Sequence, residues 1–446
     1  MWGAEQAPYK IIRRIRMNAH IGNRRWGIVG LLILDYIIMF LARSCMSMAG
    51  PSLMKEFSWS ATQFGWVQTA FFIGYAITMI PAGALADKFG AGRVLIVGSI
   101  WYALFTLLTP FSSTLAVIMI IRILVGIGQG VIVPSDFSML SRWVPKKESG
   151  LASGFVQFGC PFGIGLSMII TVWVIQNYGW KNVFYIFSIL PVIWCFIWMK
   201  FGSDTPDQDK RITDAEKVYI NSDKPKQIEN NEPDLTKSDI FRTPSIWCIS
   251  LSYFCTNYVF FLFMTWLPSY FSIGRGLNLQ ASAVYSMLPY AVALFAYPLG
   301  GYLADKVSGK IGQNWGRRMF IIAGLIIAGG LLILASKASS IGMAVGLISL
   351  SNGFICLTMG SFFSIPIVFS QKNTGIIVGI NGFFGTASGI LAPILSGVII
   401  DLFGDYDMAL YVGAIIALIG AVLACIAKVK PIHSKAANAQ KVITEP

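Results

Sequence analysis

Gly83-Ala-Leu-Ala-Asp87-Lys88-Phe-Gly90-Ala-Gly92-Arg93 closes the second long apolar run of this chain. Gly301-Tyr-Leu-Ala-Asp305-Lys306, reaching Gly316-Arg317-Arg318 after a short insertion, closes the eighth. Glycine permits the tight turn. The aspartate can accept from the N-terminal N–H groups of a neighbouring helix, and the bases hold the loop to an anionic inner surface. A generic charged turn would account for one copy. Two copies at equivalent places mark an internal duplication.

The rest of the composition agrees with that reading. The 446 residues are 55% hydrophobic and only 12% charged, with a mean hydropathy of +0.66. A soluble domain carries roughly twice that charge. Twelve apolar runs follow one another at 26–48, 63–84, 94–111, 115–139, 151–175, 183–201, 245–271, 281–303, 318–336, 340–369, 375–400 and 407–428. Backbone polar groups in a bilayer must be satisfied within the segment, so such runs read as membrane helices. The expected fold is an all-α membrane protein of twelve transmembrane helices in two six-helix halves. Its parts are a basic segment 1–25, halves 26–201 and 244–428, a linker 202–243 and a tail 429–446. No small-residue cleavage site follows the first run, so it reads as a retained helix rather than a signal peptide. The linker holds ten acidic and seven basic residues with almost no apolar periodicity, which predicts a solvated connection.

With both termini on the cytoplasmic side, 28 of the 34 Lys and Arg fall in cytoplasmic segments. Four (Lys55, Lys181, Arg275, Lys337) fall outside and two (Arg43, Arg122) fall within helices. The reverse orientation fails. The net charge of +13 is therefore spread over loop ends facing lipid and is no nucleic-acid signal. Short outer loops without an Asn-x-Ser/Thr sequon favour a bacterial inner (plasma) membrane. The seven cysteines lie in or at the edge of apolar runs and read as packing residues. His20 and His433 lie outside the runs, which excludes a metal site or a histidine relay in the bilayer. No nucleophile–base or metal constellation appears, so neither an enzyme nor a cofactor is expected.

The run Ile118-Met-Ile-Ile-Arg122-Ile-Leu-Val-Gly126-Ile-Gly128-Gln-Gly130-Val-Ile-Val-Pro134 carries an arginine at a depth where a charge costs several kcal/mol. Gly126, Gly128 and Gly130 allow a neighbouring helix or a ligand to approach closely. Arg43 sits about seven residues before the outer end of helix 1, and Arg122 about seven after the outer start of helix 4. Both are thus roughly 10–12 Å deep. Two converging guanidiniums repel unless an anion intervenes, and their planar forks suit a carboxylate. Snorkelling to the nearer surface is the alternative for each. The second half offers only neutral polar groups: Asn257, Tyr258, Tyr285, Tyr290, Asn352, Ser361 and Asn381. A helix-packing hydrogen bond is the plainer reading of each of these, Asn381 excepted.

Further motifs run through the chain: Phe57-x-Trp59-Ser60 to Tyr75, Ile80-Pro81-Ala-Gly83, Arg122-x3-Gly126-x3-Gly130, and Pro134-x7-Arg142-Trp143-Val-Pro145-x2-Glu148. They continue with Tyr178-Gly179-Trp180-Lys181, Asp204-x-Pro206, Glu216-x2-Tyr219-Ile220, Trp266-Leu267-Pro268-x-Tyr270 and Gly379-Ile-Asn381-Gly-x2-Gly385. With the duplicated loops, these resemble the anion:cation symporter family of the major facilitator superfamily. That family includes bacterial galactonate, hexuronate and glucarate transporters and the vesicular glutamate transporter and sialin group. The resemblance implies alternating access and a secondary active transporter of a small organic anion, a sugar acid or similar carboxylate, acting as a monomer. It implies substrate binding by Arg43, Tyr75, Arg122, Gln129, Gln157, Tyr258, Ser361 and Asn381, and gating by Asp87, Lys88, Arg93, Asp305 and Lys306.

The sequence departs from that family at two places. Where proton-coupled relatives carry Asp before the helix 1 arginine and Glu seven residues after the helix 4 arginine, this chain has Ala42 and Gln129. Asp35, about 20° round the helix from Ala42, and Asp136 are the remaining acids within helices of the first half. They are the proton-coupling candidates, Asp136 with the alternative of hydrogen-bonding the cytoplasmic end of helix 4. An anion exchanger, a uniporter without proton coupling, or a transport-inactive substrate sensor stays open. Amphipathic drug efflux is disfavoured by the two arginines.

Overall fold

The computed structural model describes residues 22–221, 237–370 and 374–431. The expectations placed on 1–21, 222–236 and 432–446, His20 and His433 among them, lie outside the described residues. Fifteen α-helices follow in order: α1 Arg24–Phe57, α2 Ala61–Phe89, α3 Ala91–Leu108, α4 Leu115–Gly130, α5 Ile132–Trp143, α6 Lys146–Tyr178, α7 Trp180–Phe201, α8 Asp214–Asn221, α9 Lys237–Phe241, α10 Pro244–Ser269, α11 Leu279–Ile311, α12 Gln313–Ser336, α13 Ile341–Phe369, α14 Thr374–Phe403 and α15 Asp407–Ile426. With α4 and α5 as one span, eleven are long and apolar enough to cross a membrane, and α2, bent at Pro81, completes twelve.

Local chemistry sets the boundaries. Ser60 and Gln63 form a reciprocal capping box at the start of α2, and Asn278 and Ser340 cap α11 and α13 through their side chains. Gly90, at φ 92°, makes the reversal from α2 into α3. The fourth span divides at Val131 because Pro134 has no N–H for the carbonyl of Gly130. Several helices outrun the apolar segments that predicted them. The run 26–48 becomes 34 residues, Arg24–Phe57, since polar residues near the bilayer surface continue a helix without burial cost.

Arg24, Phe201 and the 202–213 segment share one end of the bundle with Ser245 and Lys428; this is the terminal face. Here the linker is not simply solvated. α8 docks on the bundle, with Glu216 fully buried and accepting from the backbone N–H groups of Arg24 and Arg25 and from the Arg25 guanidinium. Arg25 also donates to Glu148, which accepts a hydrogen bond from the Tyr219 hydroxyl. A carboxylate at the unsatisfied N–H groups of α1 is a favourable placement that composition alone does not reveal.

The two halves meet through α2 with α14, α6 with α11 and α1 with α10. At the face opposite the termini they are tightly joined. Asp401 of α14 accepts from the N–H groups of Ala61 at 2.9 Å and Thr62 at 2.7 Å, capping α2 across the interface. A Cβ added to Gly65 would lie 2.7 Å from the Pro393 carbonyl. Phe64 meets Trp266 edge-on at 5.7 Å, Thr69 donates to the Ile390 carbonyl, and Met79 reaches Thr386 at 3.2 Å. These bonds and close approaches between the halves gather toward the face opposite the termini.

A helix cap is worth about 1 kcal/mol. Asp401→Ala should speed amide hydrogen exchange at Ala61 and Thr62 about fivefold and leave the capping box at Ser60 intact. Unchanged exchange at both amides would show that Asp401 does not hold the closed face.

Candidate functional site

On α2, Gln68, Phe71 and Tyr75 recur at helical spacing, so they share one face. On α4, Arg122 and Gln129 lie two turns apart on one face. Glycines press these faces together. A Cβ on Gly126 would fall 2.0 Å from the Phe71 carbonyl oxygen, and one on Gly74 1.9 Å from the Ile123 carbonyl oxygen. Any larger residue would push the helices apart, so Arg122 is held beside the Phe71 ring.

Both arginines are almost wholly buried, at 4% and 3% exposure. The Arg43 guanidinium carbon lies 4.7 Å from the Phe40 ring centre, 5.0 Å from Phe71 and 4.7 Å from Tyr75. That of Arg122 lies 4.8 Å from Phe71. Sharing Phe71, the two carbons cannot be farther apart than the sum of their distances to it. Arg43 Nε donates to Gln129 Oε1 at 3.1 Å. Arg122 Nη2 donates to Gln68 Oε1 at 3.4 Å, and its Nε has no acceptor. Gln68 donates in turn to Ser47 Oγ at 2.8 Å, which turns its carbonyl oxygen toward Arg122. Gln129 donates to the Met39 carbonyl at 3.4 Å.

Among the described residues neither arginine has an acidic partner. Cation–π contacts return about 2 kcal/mol when desolvated, whereas each buried charge costs several. Two buried guanidiniums with amide and aromatic neighbours are able to bind an anion with two or more acceptor oxygens. The structure thus brings Arg43, Tyr75, Arg122 and Gln129 together. Sequence reasoning missed Gln68, Phe71 and Phe40. The spacing of Gln68 and Phe71 to Tyr75 was the available signal.

The remaining predicted residues are placed otherwise. Gln157 accepts from Tyr36 at 2.8 Å, and the Tyr36 ring lies 5.1 Å from that of Phe40. Tyr258 bonds Ser396 at 3.2 Å, and Asn381 accepts from Ser250 at 2.6 Å. Both contacts lie within the second half. Ser361 is fully buried with its hydroxyl unpartnered. Asn352 makes the helix-packing bond expected of it, to the Pro289 carbonyl of α11, whereas Asn257 donates to the Tyr253 carbonyl one turn back in its own helix. Asp35 and Asp136 are buried at 0% and 1%, and all four of their carboxylate oxygens lack a partner. Asp136 therefore does not hydrogen-bond the end of α5.

In the loops, Asp87 pairs with Arg142 at 3.2 Å and Asp305 with Arg317 at 3.2 Å. Lys88 and Lys306 lie over the rings of Phe89 and Tyr302, and Arg93 is exposed. The expected acceptance by Asp87 from a helix N-terminus is corrected: Asp204 receives the Gly92 N–H at 3.1 Å, because Asp87 at the end of α2 points to Arg142.

Gln129→Glu would supply Arg43 with the anion it lacks. The thermal midpoint of that variant, measured in detergent near neutral pH, should rise by several degrees, whereas Gln129→Leu should lower it. A fall in the Glu variant would mean that the guanidiniums are already satisfied.

The model of the Major Facilitator Superfamily matches residues 32–371 and again 307–445. A chloroplastic ascorbate transporter of Arabidopsis thaliana is 30% identical over 402 residues, 89% of this chain and 73% of that protein. A hexuronate transporter of Bacillus subtilis (strain 168) is 28% identical over 413 residues, 92% and 96% of the two chains. The crystal structure of a bacterial homolog of the human lysosomal transporter Spinster, inward-facing and occupied, superposes with a TM-score of 0.74 at 16% identity, covering 91% of this chain and 97% of that one. The duplicated loops, the twelve spans in two halves and the sequence match agree: the chain belongs to the Major Facilitator Superfamily.

Proposed function

We propose that this multi-pass membrane protein carries a small organic anion by alternating access, binding its carboxylate between Arg43 and Arg122. The observation that carries this reading is the pair of buried guanidiniums with amide and aromatic neighbours and no acid. An anion in that place replaces like-charge repulsion with two charge-assisted contacts. Relatives named for ascorbate and hexuronate support a sugar acid as cargo. The neutral second half would then meet hydroxyls through Tyr258, Ser361 and Asn381, with Gln157 on the first half completing the pocket wall.

The distribution of Lys and Arg supports termini on the cytoplasmic side of a bacterial plasma membrane. In that orientation the face where Asp401 caps α2 is the outer one. Asp87 and Asp305, in ion pairs within their own halves, serve the inner gate. Transport as a monomer driven by a proton gradient is the leading form. The second form is exchange or uniport, favoured by Ala42 and Gln129 at the positions where proton-coupled relatives carry acids.

Uptake of radiolabelled D-glucuronate and D-gluconate into proteoliposomes tests the reading, with D-glucose as the neutral control. Arg43→Ala and Arg122→Ala should each lower uptake at least about 100-fold, as expected when a buried charge-assisted contact of about 3 kcal/mol is lost. Arg43→Lys should recover little of it, because an ammonium lacks the planar fork. Uptake of glucose on equal terms, or full activity of either Ala variant, would overturn the assignment. Binding without uptake would turn the reading to a sensor.

A further inference from the structure

The charges of the anion site can be counted. Arg43 and Arg122 bring two positive charges into it, both almost wholly buried. The side chains bonded to them or set against them are Gln129, Gln68, Met39, Phe40, Phe71 and Tyr75, and none of these is a carboxylate. Asp35 precedes Arg43 by eight residues on α1, and Asp136 follows Arg122 by fourteen, across the break between α4 and α5. At 1.5 Å per residue these are roughly 12 and 21 Å along the spans. Neither acid balances a guanidinium by contact.

The donors of the two arginines are only half used. A guanidinium offers two parallel donors along its Nε–Nη2 edge, which match the two oxygens of one acid group. On that edge Arg43 meets the Gln129 oxygen at 3.1 Å and the Met39 sulfur at 3.8 Å, and a thioether is a weak acceptor. Arg122 meets the Gln68 oxygen at 3.4 Å through Nη2, while its Nε has no acceptor. Each fork thus faces one amide oxygen. The guanidinium carbons lie 5.0 and 4.8 Å from the centre of the same Phe71 ring. The two are near enough for one ligand a few carbons long to present an acid group to each.

One carboxylate bound between two arginines leaves a positive charge buried and unbalanced, which is the costly condition in a low-dielectric interior. Two acid groups on one ligand leave none. We propose that the site selects its cargo by charge: it takes small acids with two negative charges, one acid group on each arginine, in preference to acids of the same size with one. The proposal rests on the anion-carrier reading above and narrows it from any sugar acid to the diacid. The second acid group must also leave water, so the gain is smaller than the full attraction between the charges. Gln129 and Gln68 set the selection by acting through the arginines. An amide in each place keeps the count at two positive charges. A glutamate in either place would supply one negative charge from the protein and move the preference to the monoacid.

D-Glucitol, D-gluconate and D-glucarate share a six-carbon hydroxylated chain and carry no, one and two carboxylates. Binding of each to the purified full-length protein is measured by isothermal titration calorimetry in detergent near neutral pH, where both acids are fully ionised. D-Glucarate should bind at least about tenfold tighter than D-gluconate, and D-glucitol should give no heat of binding. Gln129→Glu should weaken D-glucarate at least about tenfold and make D-gluconate the tighter ligand. Gln68→Glu should do the same from the side of Arg122, so a folding failure of one variant leaves the other to decide, with the parent measurement independent of both. A merely structural role for either glutamine would lower both affinities together and would not exchange their order. Equal binding of the two acids by the parent would overturn the charge selection and leave the anion-carrier reading standing. So would an order that stays unchanged in a Glu variant shown to be folded by gel filtration. Binding of neither acid, or D-glucitol binding as well as both, would overturn the selection and the carrier reading together.

Discussion

Two guanidiniums held against one phenyl ring, with no carboxylate within their reach, are the constraint on which the rest of this structure depends. Burying one arginine in a bilayer costs several kcal/mol, and burying a second beside it adds repulsion. Amides answer part of that cost: Gln129 accepts from Arg43 and Gln68 from Arg122. Phe40, Phe71 and Tyr75 answer another part with their ring faces. An amide accepts hydrogen bonds but carries no charge, so it leaves the guanidiniums' charge unbalanced, and the first half is suited to be the receptor for negative charge proposed above.

That receptor exists only because backbones touch. Gly74 and Gly126 let α2 and α4 meet at carbonyl distance, and Gly130 repeats the approach at the Tyr75 carbonyl. These glycines set where Phe71 stands between the arginines. The contact between the halves then uses the other side of α2: Gly65 against the Pro393 carbonyl, and the α2 N-terminus capped by Asp401. One helix thus builds the anion site with one face and closes the molecule with another. A change in the anion site therefore has a direct mechanical path to the closed face.

The buried acids stand away from that pair. Asp35 lies about two helical turns from Arg43 along α1, and Asp136 about four from Arg122 along α4 and α5, with Gln129 bonded to the Met39 carbonyl at the level between them. Acids that reached the guanidiniums would neutralise them and leave little affinity for an external anion.

Composition and the duplicated Gly-x-x-x-Asp-Lys loops were enough to decide the membrane class, the twelve spans and the division into two sets of six. Bilayer insertion depends on local apolar length, which is a property of the sequence itself. The same logic made Arg43 and Arg122 stand out, because a charge inside an apolar run is conspicuous. Gln68, Phe71 and Phe40 were not conspicuous, since an amide or a phenyl in a membrane helix is ordinary until its neighbour is known. The docking of Glu216 on α1, the Asp401 cap and the loop partner of Asp87 were likewise invisible. Each joins residues far apart in the chain, and only the packing of helices decides which face meets which. The tertiary structure also decided that Tyr258 and Asn381 bond within their own half. Depth in the membrane can be counted along one helix, but the rotation of that helix against its neighbours is set by the glycine contacts and side-chain bonds that form when all of them are assembled.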